Sequence, residues 1–350
     1  SRKPGYERSK GPGVGQNARV GQDKLSIPAR GGIVMKILVT LPLNERQKER
    51  LEMNFRHLEF CYCLQKDVTE EVIRDAEVIL GNVDPALLKY AEELKWLQLN
   101  NAGTEGFCDG ALPKDAVLTN ATGAYGLAIS EHMIGVLFEL QKKLNLYARN
   151  QREHIWRSEG HVHVIQGSRV LVIGMGDIGT MFARKMKALG CRTVGIKRRE
   201  GRKPEGVDDL YTLERLEREL PKADIVAMSL PGNQDTYHMM NAERLALMKE
   251  NAVLMNVGRG ITVDTDALVK ALQEKRIAGA CLDVTDPEPL PAEHPLWDME
   301  NVILTPHISG GYALPETLEQ ILTICIENLE CYMVQRPLRN LIDMKTGYCE

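Results

Sequence analysis

The chain has 350 residues, of which 43% are hydrophobic and 26% are charged, and its formal net charge is −4. This length suits two domains of ordinary size, each large enough to bury a core. A mildly acidic chain without a basic block disfavours nucleic acid as a main partner, and no apolar run is long enough to span a bilayer. The eight cysteines include no CxxC pair, so we expect reduced thiols in a cytoplasmic protein.

Residues 1–34 differ in composition from the rest of the chain. They are rich in Gly, Arg, Lys and Pro, and Tyr6 is their single aromatic residue. They lack the apolar core of a signal peptide, so we interpret them as a disordered leader or an expression tag. A basic arm that binds an acidic partner is the alternative.

From Met35 onward, short β-branched runs alternate with helical stretches, a pattern typical of a parallel α/β sheet. The first series predicts strands over 36–40, 78–81 and 96–100, with helices over 45–57 and 85–93. A long amphipathic helix is predicted over 133–150, where it could carry the chain from one domain to the next.

A second alternating series predicts six more strands, the number expected of a doubly wound dinucleotide fold. They cover residues 169–173, 193–196, 224–230, 252–257, 279–284 and 301–305. A final helix is predicted over 314–334, with no strand after it, so we expect it to pack back on the first domain. The predicted fold is thus α/β with two doubly wound parallel-sheet domains. A Rossmann domain (131–311) is inserted into a smaller flavodoxin-like substrate domain (35–130 and 312–350).

The sequence Gly174-Met175-Gly176-Asp177-Ile178-Gly179 is a GxGxxG motif. Alone it is a weak signal, but here it follows a predicted strand and opens a predicted helix over 178–189. Such glycines permit a tight turn, and the helix N-terminus offers N–H groups to a pyrophosphate. We therefore predict a dinucleotide site; a plain glycine turn is the alternative.

The end of the next predicted strand bears on the choice of cofactor. An acidic residue that bonds the ribose 2′-hydroxyl is expected there, but the sequence has Lys197-Arg198-Arg199, with Arg202 and Lys203 close behind. Guanidinium groups would bind a 2′-phosphate, so NADP(H) is favoured over NAD(H). A solvated basic loop is the alternative interpretation.

Three further polar residues follow predicted strands of this sheet. Arg259 lies in Asn256-Val257-Gly258-Arg259-Gly260, where the flanking glycines would let the backbone approach a ligand. Its planar fork suits the carboxylate and keto oxygens of a 2-oxo acid, although a structural arginine explains it as well. His307 could exchange a proton near neutral pH, and Glu288 could fix its tautomer. One edge of a parallel sheet would collect all three.

The glycine motif, NVGRG, the DVTDPEP loop and TPHISG together resemble the D-isomer-specific 2-hydroxyacid dehydrogenase family from about Met35 to the C-terminus. The resemblance implies a reductase in which Arg259 anchors the substrate, His307 is the acid/base and Glu288 its partner. It also implies that the backbone at Ala102 and Gly103 receives the substrate carboxylate. Cofactor contacts are implied for Pro231, Val257, Gly258 and Asp283, the last with the nicotinamide carboxamide. Ser130-Glu131-His132 resembles a dimerisation segment, so a homodimer is expected.

Departures from the family pattern narrow the expected substrate. No arginine follows the strand that ends Leu80-Gly81-Asn82-Val83, as it typically does in members that act on phosphoglycerate, and Tyr312 stands where a small or hydroxyl residue is frequent. A small unphosphorylated acid is expected, such as glyoxylate, hydroxypyruvate or a short aliphatic 2-oxo acid. The alternatives are a dinucleotide-sensing protein or corepressor, and a phosphite-type dehydrogenase.

Two other candidate sites are disfavoured by the sequence. His161 and His163 could share a face, but no third ligand of matching context accompanies them, so no metal site is predicted. Neighbouring residues on a helix point apart, so Ser130-Glu131-His132 cannot form a hydrolase relay.

Overall fold

The computed structural model describes residues 35–312, 314–345 and 347–349. For residues 348 and 349 it describes the backbone alone. The leader predicted at 1–34 lies outside the described residues. Two parallel sheets, one of five strands and one of seven, confirm the predicted fold class. None of the helices in these ranges is both long and apolar enough to cross a membrane.

The five-stranded sheet has the order β2-β1-β3-β4-β5, with every neighbouring pair parallel. This is the flavodoxin-like order. Its strands are β1 (Lys36–Val39), β2 (Glu59–Tyr62), β3 (Val78–Leu80), β4 (Trp96–Gln98) and β5 (Val117–Thr119). The sequence prediction missed the two edge strands, β2 and β5. An edge strand is partly exposed, so neither carries the continuous apolar run that marks the central strands.

Helices α1 (Glu45–Asn54) and α2 (Glu70–Ile73) connect strands of this sheet. The helix predicted over 85–93 is instead a 3₁₀ turn, Pro85–Tyr90. Asp84 caps it by accepting a hydrogen bond from Ala86 N at 2.9 Å. The 3₁₀ turn is six residues long, and 3₁₀ turns commonly serve as connectors of this kind.

The single helix predicted over 133–150 was wrong. The chain forms α3 (Gly126–Gln141) and α4 (Leu144–Arg152), separated by Lys142 and Lys143. Lys143 has a φ of +57°, the left-handed conformation that glycine usually supplies at a helix C-terminus. No glycine or proline marks the break, so the hydrophobic pattern of the sequence predicts one continuous helix.

The seven-stranded sheet has the order β12-β11-β10-β9-β6-β7-β8, again with every neighbouring pair parallel. Its strands are β6 (Arg169–Ile173), β7 (Arg192–Lys197), β8 (Asp209–Thr212), β9 (Ile225–Met228), β10 (Val253–Asn256), β11 (Gly279–Leu282) and β12 (Val302–Leu304). The six predicted strands are present, and β8, a half-buried edge strand, was missed. The order reverses between β6 and β9, the switch point where open α/β sheets bind ligands.

The helices between strands of this sheet are α5 (Asp177–Ala188), α6 (Leu216–Glu219), α7 (Ala242–Leu247) and α8 (Thr265–Gln273), and α3 also packs against β11 and β12. Strands β9, β10 and β11 are buried along their whole length. Burial on both faces explains their unbroken apolar sequences and gives the loops at their ends a rigid base.

The last long helix, α9 (Pro315–Met333), lies against the five-stranded sheet. Asn328 Nδ2 donates to Gln98 Oε1 at 2.8 Å, and the Tyr332 ring stacks on Trp96 with centroids 5.4 Å apart. A short antiparallel pair follows, β13 (Ile342–Asp343) and β14 (Tyr348–Cys349). The expectation that no strand follows this helix was therefore wrong. Strands of two residues are too short to produce a recognisable hydrophobic pattern, so the sequence did not predict them.

Candidate active site

The glycine motif forms the turn between β6 and α5. Gly174 has a φ of +99°, and a Cβ there would lie 2.8 Å from Ser229 O. A Cβ on Gly179 would lie 2.0 Å from Gly174 O, whereas one on Gly176 would meet no atom within 4 Å. The first and third glycines are thus required by packing, while the second leaves open space at the N-terminus of α5. This open space fits a pyrophosphate held by backbone N–H groups.

Asp177 and Ile178 open α5, and their side chains turn away from this space. The Asp177 carboxylate accepts a hydrogen bond from Gly126 N at 2.7 Å, at the start of α3, and Ile178 packs against the core. Their predicted contribution to a cofactor site is therefore through the backbone, because the first N–H groups of a helix have no intrahelical partner.

The basic loop lies beyond the end of β7, on the same side of the sheet. Lys197 is half-buried at the strand end, and Arg198 and Arg199 are exposed. A surface pocket of about 600 Å³ follows, lined by residues 202–207, which begin with Arg202 and Lys203. Basic side chains, interspersed with Glu200 and Glu205, therefore follow the strand end near which the adenosine ribose binds in this class of fold.

Arg259 is carried on a loop that packs tightly between two neighbouring loops. A Cβ on Gly258 would lie 2.3 Å from Leu230 O, and a Cβ on Gly260 would lie 1.8 Å from Thr285 O. The glycines are therefore needed for close approach to protein backbone, and their approach to a ligand stays a prediction. The buried Asn256 fixes the loop further, since its Nδ2 donates to Arg259 O at 3.0 Å.

The Arg259 guanidinium reaches the loop that follows β4 in the other sheet. Its Nε donates to Glu105 Oε1 at 2.8 Å, and its Nη1 donates to Gly258 O at 2.8 Å. Its Nη2 lies 2.4 Å from the point that a Cβ on Gly103 would occupy. The anchor and the backbone predicted to receive a substrate carboxylate therefore lie in direct contact.

Glu105 was not predicted as a site residue. The one feature of the sequence that could have indicated it is its position two residues after Gly103. Burial raises the pKa of Glu105, but the hydrogen bond and charge of Arg259 outweigh burial, so the pKa lies below its usual value. The charge of His307 acts in the same direction. The direct contact of Glu105 is with Arg259.

His307 and Glu288 form a pair on two loops of the seven-stranded sheet, with Nδ1 and Oε1 2.5 Å apart. Their side chains are 46% and 40% exposed, so the pair is open to a ligand in the cleft. His307 has a φ of +54°, and its backbone N donates to Asp283 O at 2.8 Å. With Nδ1 directed at the carboxylate, Nε2 is the ring nitrogen that can exchange a proton with a substrate.

Asp283 is 3% exposed and holds the loop that carries His307. Its carboxylate accepts hydrogen bonds from Thr305 Oγ1 at 2.6 Å, Ile308 N at 3.0 Å, Ser309 N at 3.1 Å and Ser309 Oγ at 2.5 Å. A carboxylate with four donors from one loop positions that loop firmly. The predicted contact of Asp283 with a nicotinamide carboxamide stays a prediction.

The remaining predicted residues lie at the same sheet edges. Val257 follows β10 and donates its N–H to Met228 O at 3.1 Å, and Pro231 follows β9. Ala102 is exposed after β4, and its O accepts from Asn120 Nδ2 at 2.7 Å.

The three residues expected at a dimer interface point in different directions. Ser130 is buried, Glu131 pairs with Lys185 at 3.0 Å, and His132 Nε2 lies 3.1 Å from Thr305 Oγ1. Within the described ranges, no three His, Cys, Asp or Glu side chains are grouped to hold a metal ion.

Comparison with known proteins places this arrangement in a family. Residues 134–309, about half of the chain, match the family model for the NAD binding domain of D-isomer specific 2-hydroxyacid dehydrogenases. A glyoxylate reductase from Thermococcus onnurineus is 30% identical over 329 residues, which is 89% of this chain and 93% of the relative.

Two solved structures share the fold over nearly the whole chain. A D-isomer specific 2-hydroxyacid dehydrogenase family protein from Aeromonas salmonicida is 31% identical, with a TM-score of 0.80. The match covers 89% of this chain and 100% of the Aeromonas chain. A D-isomer specific 2-hydroxyacid dehydrogenase from Xanthobacter autotrophicus, in complex with NADPH and MES, is 27% identical. Its TM-score is 0.76, and the match covers 90% of this chain and 100% of the Xanthobacter chain. The resemblance found in the sequence is thereby confirmed: the chain belongs to the D-isomer specific 2-hydroxyacid dehydrogenase family and is an NAD(P)-dependent oxidoreductase.

Proposed function

We propose that the protein reduces a small unphosphorylated 2-oxo acid to the D-2-hydroxy acid, with NADP(H) as its cofactor. The observation that carries the proposal is the contact of Arg259 with Gly103 beside the His307–Glu288 pair. Together these residues offer an anion site, a cation for the keto oxygen and a proton donor in one cleft.

Substrate binding is expected at the Arg259 cation, which is also paired with Glu105. The carboxylate of a 2-oxo acid would lie on the backbone at Ala102 and Gly103, next to the Arg259 guanidinium. The same guanidinium can reach the keto oxygen, because its fork presents several N–H donors in one plane. Polarisation of the C=O bond makes C2 more electrophilic and stabilises the negative charge that develops on oxygen.

When bound, the dinucleotide supplies the hydride that adds to C2. The electron pair of the C=O bond moves to oxygen, which takes a proton from His307 Nε2. Glu288 accepts the Nδ1 hydrogen bond, so it holds the ring in the tautomer this transfer needs and stabilises the imidazolium that precedes it. In oxidation, neutral His307 takes the proton back.

The preference for NADP(H) rests on the loop after β7. Lys197, Arg198 and Arg199 occupy the place where NAD-dependent folds carry a carboxylate, and a 2′-phosphate would meet guanidinium groups there. The NADPH complex of the Xanthobacter relative supports this choice by analogy.

We propose a homodimer that uses apolar side chains exposed on α4 and the segment after it. Trp156 is fully exposed, Val164 is 69% exposed and Leu144 is 51% exposed. Exposed apolar side chains recur along residues 144–164, and we expect a second chain to cover them.

A direct test is NAD(P)H oxidation, followed by absorbance, with a panel of 2-oxo acids that includes glyoxylate, hydroxypyruvate, pyruvate and 2-oxobutyrate. We expect turnover of at least one acid, faster with NADPH than with NADH. Cofactor binding without turnover of any acid would favour the dinucleotide-sensing alternative, for which the His307–Glu288 pair has no use.

A further inference from the structure

We propose that Tyr312 and Asn100 form the wall that receives the C3 substituent of the substrate, and that they select a 3-hydroxy-2-oxo acid such as hydroxypyruvate. This inference rests on the proposed function, since it needs the carboxylate at Gly103 and the keto group between Arg259 and His307. Those contacts fix two of the three groups on C2, so the third must face what else lines the cleft.

The two residues come from the two halves of the proposed site. Asn100 is the second residue after β4 and lies two residues before Ala102, and Tyr312 lies five residues after His307. Asn100 Nδ2 donates a short hydrogen bond to the Tyr312 hydroxyl. This contact therefore joins the loop of the carboxylate site to the loop of the acid/base.

Asn100 is held in place by bonds that leave its amide nitrogen for Tyr312. Its Oδ1 accepts from Asn82 N at 2.7 Å, and its own N donates to Asn82 Oδ1 at 3.1 Å. Its carbonyl oxygen accepts from the buried Tyr125 hydroxyl. A reciprocal asparagine pair thus links the ends of β3 and β4, the edge at which a parallel sheet binds ligands.

The path of the chain from His307 to Tyr312 is also constrained. A Cβ on Gly310 would lie 3.2 Å from Ile129 Cδ1 and 3.3 Å from Tyr125 Cδ1, so this segment packs against the start of α3. Tyr312 itself stays 39% exposed. A fixed backbone with an accessible phenol is suited to contact a ligand.

The chemistry of this wall selects among 2-oxo acids. The phenol oxygen accepts the Asn100 bond, which leaves its proton to be donated to a hydroxyl on C3. Asn82, Asn100 and Tyr312 carry no charge, so this wall offers no cation to compensate a phosphate. We also expect the phenol ring to occupy space that a branched side chain would need.

The test is the ratio of kcat/KM for hydroxypyruvate to that for pyruvate, since these acids differ by one hydroxyl. We expect the wild-type protein to favour hydroxypyruvate and Tyr312→Phe to lower the ratio about tenfold, the loss of one hydrogen bond. Tyr312→Ala should in addition gain turnover of the branched acid 3-methyl-2-oxobutanoate. NADPH affinity, measured by fluorescence, should stay unchanged in both variants.

The matched control is Tyr332→Phe. Tyr332 donates its hydroxyl to Glu77 Oε1 at 3.0 Å, next to the N-terminal end of β3 and at the opposite edge of the same sheet. Its substrate ratio should equal that of the wild type. If the wild type reduces 2-oxo acids but Tyr312→Phe keeps the wild-type ratio, the assignment of Tyr312 is wrong and the proposed function stands. If the wild type reduces no acid in the panel, both proposals fail.

Discussion

Glu105 and Arg259 connect the two sheets across the cleft, with Glu105 Oε1 2.8 Å from Arg259 Nε. Glu105 follows β4 of the five-stranded sheet, and Arg259 follows β10 of the seven-stranded sheet. The carboxylate lies on the same side of the guanidinium as Gly103. It therefore determines which N–H groups of the arginine remain for a substrate.

Glu105→Ala should lower kcat/KM for a 2-oxo acid by about 10- to 100-fold, because Arg259 loses the acceptor that orients it. Glu105→Gln should lose less, since the amide oxygen can still accept the Nε hydrogen bond. Glu319→Gln is the control, because it removes a carboxylate that pairs with Arg50 at 3.0 Å away from the cleft. Steady-state kinetics check the order, and equal rates for Glu105→Ala and wild type would contradict it.

His307→Ala should keep NADPH affinity and lose about 10²- to 10⁴-fold in turnover, the usual contribution of general acid catalysis. His154→Ala is a suitable control, since His154 is an exposed histidine with a φ of +56°, close to that of His307. Single-turnover measurements separate chemistry from cofactor binding. Near-normal turnover in His307→Ala would remove the imidazole from the proposed mechanism.

Replacing Arg198 and Arg199 together by glutamine should weaken NADPH binding about 10- to 100-fold and spare NADH, because the 2′-phosphate loses charge-assisted hydrogen bonds. The effect should shrink at high salt. Fluorescence titration with both cofactors measures it. An equal loss for NADH and NADPH would indicate damage to the fold instead of a lost phosphate contact.

Trp156→Arg together with Val164→Asp should convert the proposed dimer into a monomer, because two charges would be buried in an apolar interface. Sedimentation equilibrium at several protein concentrations gives the molecular mass. A monomeric wild type would refute the proposed interface directly.

Glu219 provides a test of stability against pH. It is 1% exposed and accepts from Arg169 Nη2 at 2.6 Å and from Lys222 Nζ at 2.8 Å. Burial raises the pKa of Glu219, but the two cations outweigh burial and the pKa lies below its usual value. Such a carboxyl stabilises the fold above its unfolded-state pKa and loses this contribution as the pH falls through the folded-state pKa.

Glu219→Gln should therefore lower the free energy of unfolding at pH 7 by about 1.5–3 kcal/mol, and the difference from wild type should vanish in acid. The matched control is Glu217→Gln on the same helix, whose 62% exposed carboxylate pairs with Arg244. It should change stability by less than about 0.5 kcal/mol. Urea unfolding at several pH values measures both variants.

The features that could be predicted from the sequence are those encoded by residues close together in the chain. The six residues from Gly174 to Gly179 form the turn, leave the open space and allow the helix to pack. Arg259, Glu288 and His307 each follow a buried strand. Their meeting at one edge follows from parallel strand order alone.

What the sequence could not predict depends on parts of the chain that meet only after folding. Glu105 is 154 residues from Arg259, and no local pattern joins them. The break at Lys143 depends on an unusual backbone conformation with no glycine to signal it. Gly258 and Gly260 were recognised, but their neighbours, Leu230 and Thr285, lie on loops that only the fold brings close.

The four hydrogen bonds that Asp283 accepts bear on how the two sheets share the residues of the cleft. The residues proposed to deliver and orient the proton, His307 and Glu288, both belong to loops of the seven-stranded sheet, and the His307 loop is fixed through Asp283. The partner of Arg259 comes from the other sheet. The proposed proton donor is therefore held within one sheet, whereas the proposed anion site needs residues from both sheets.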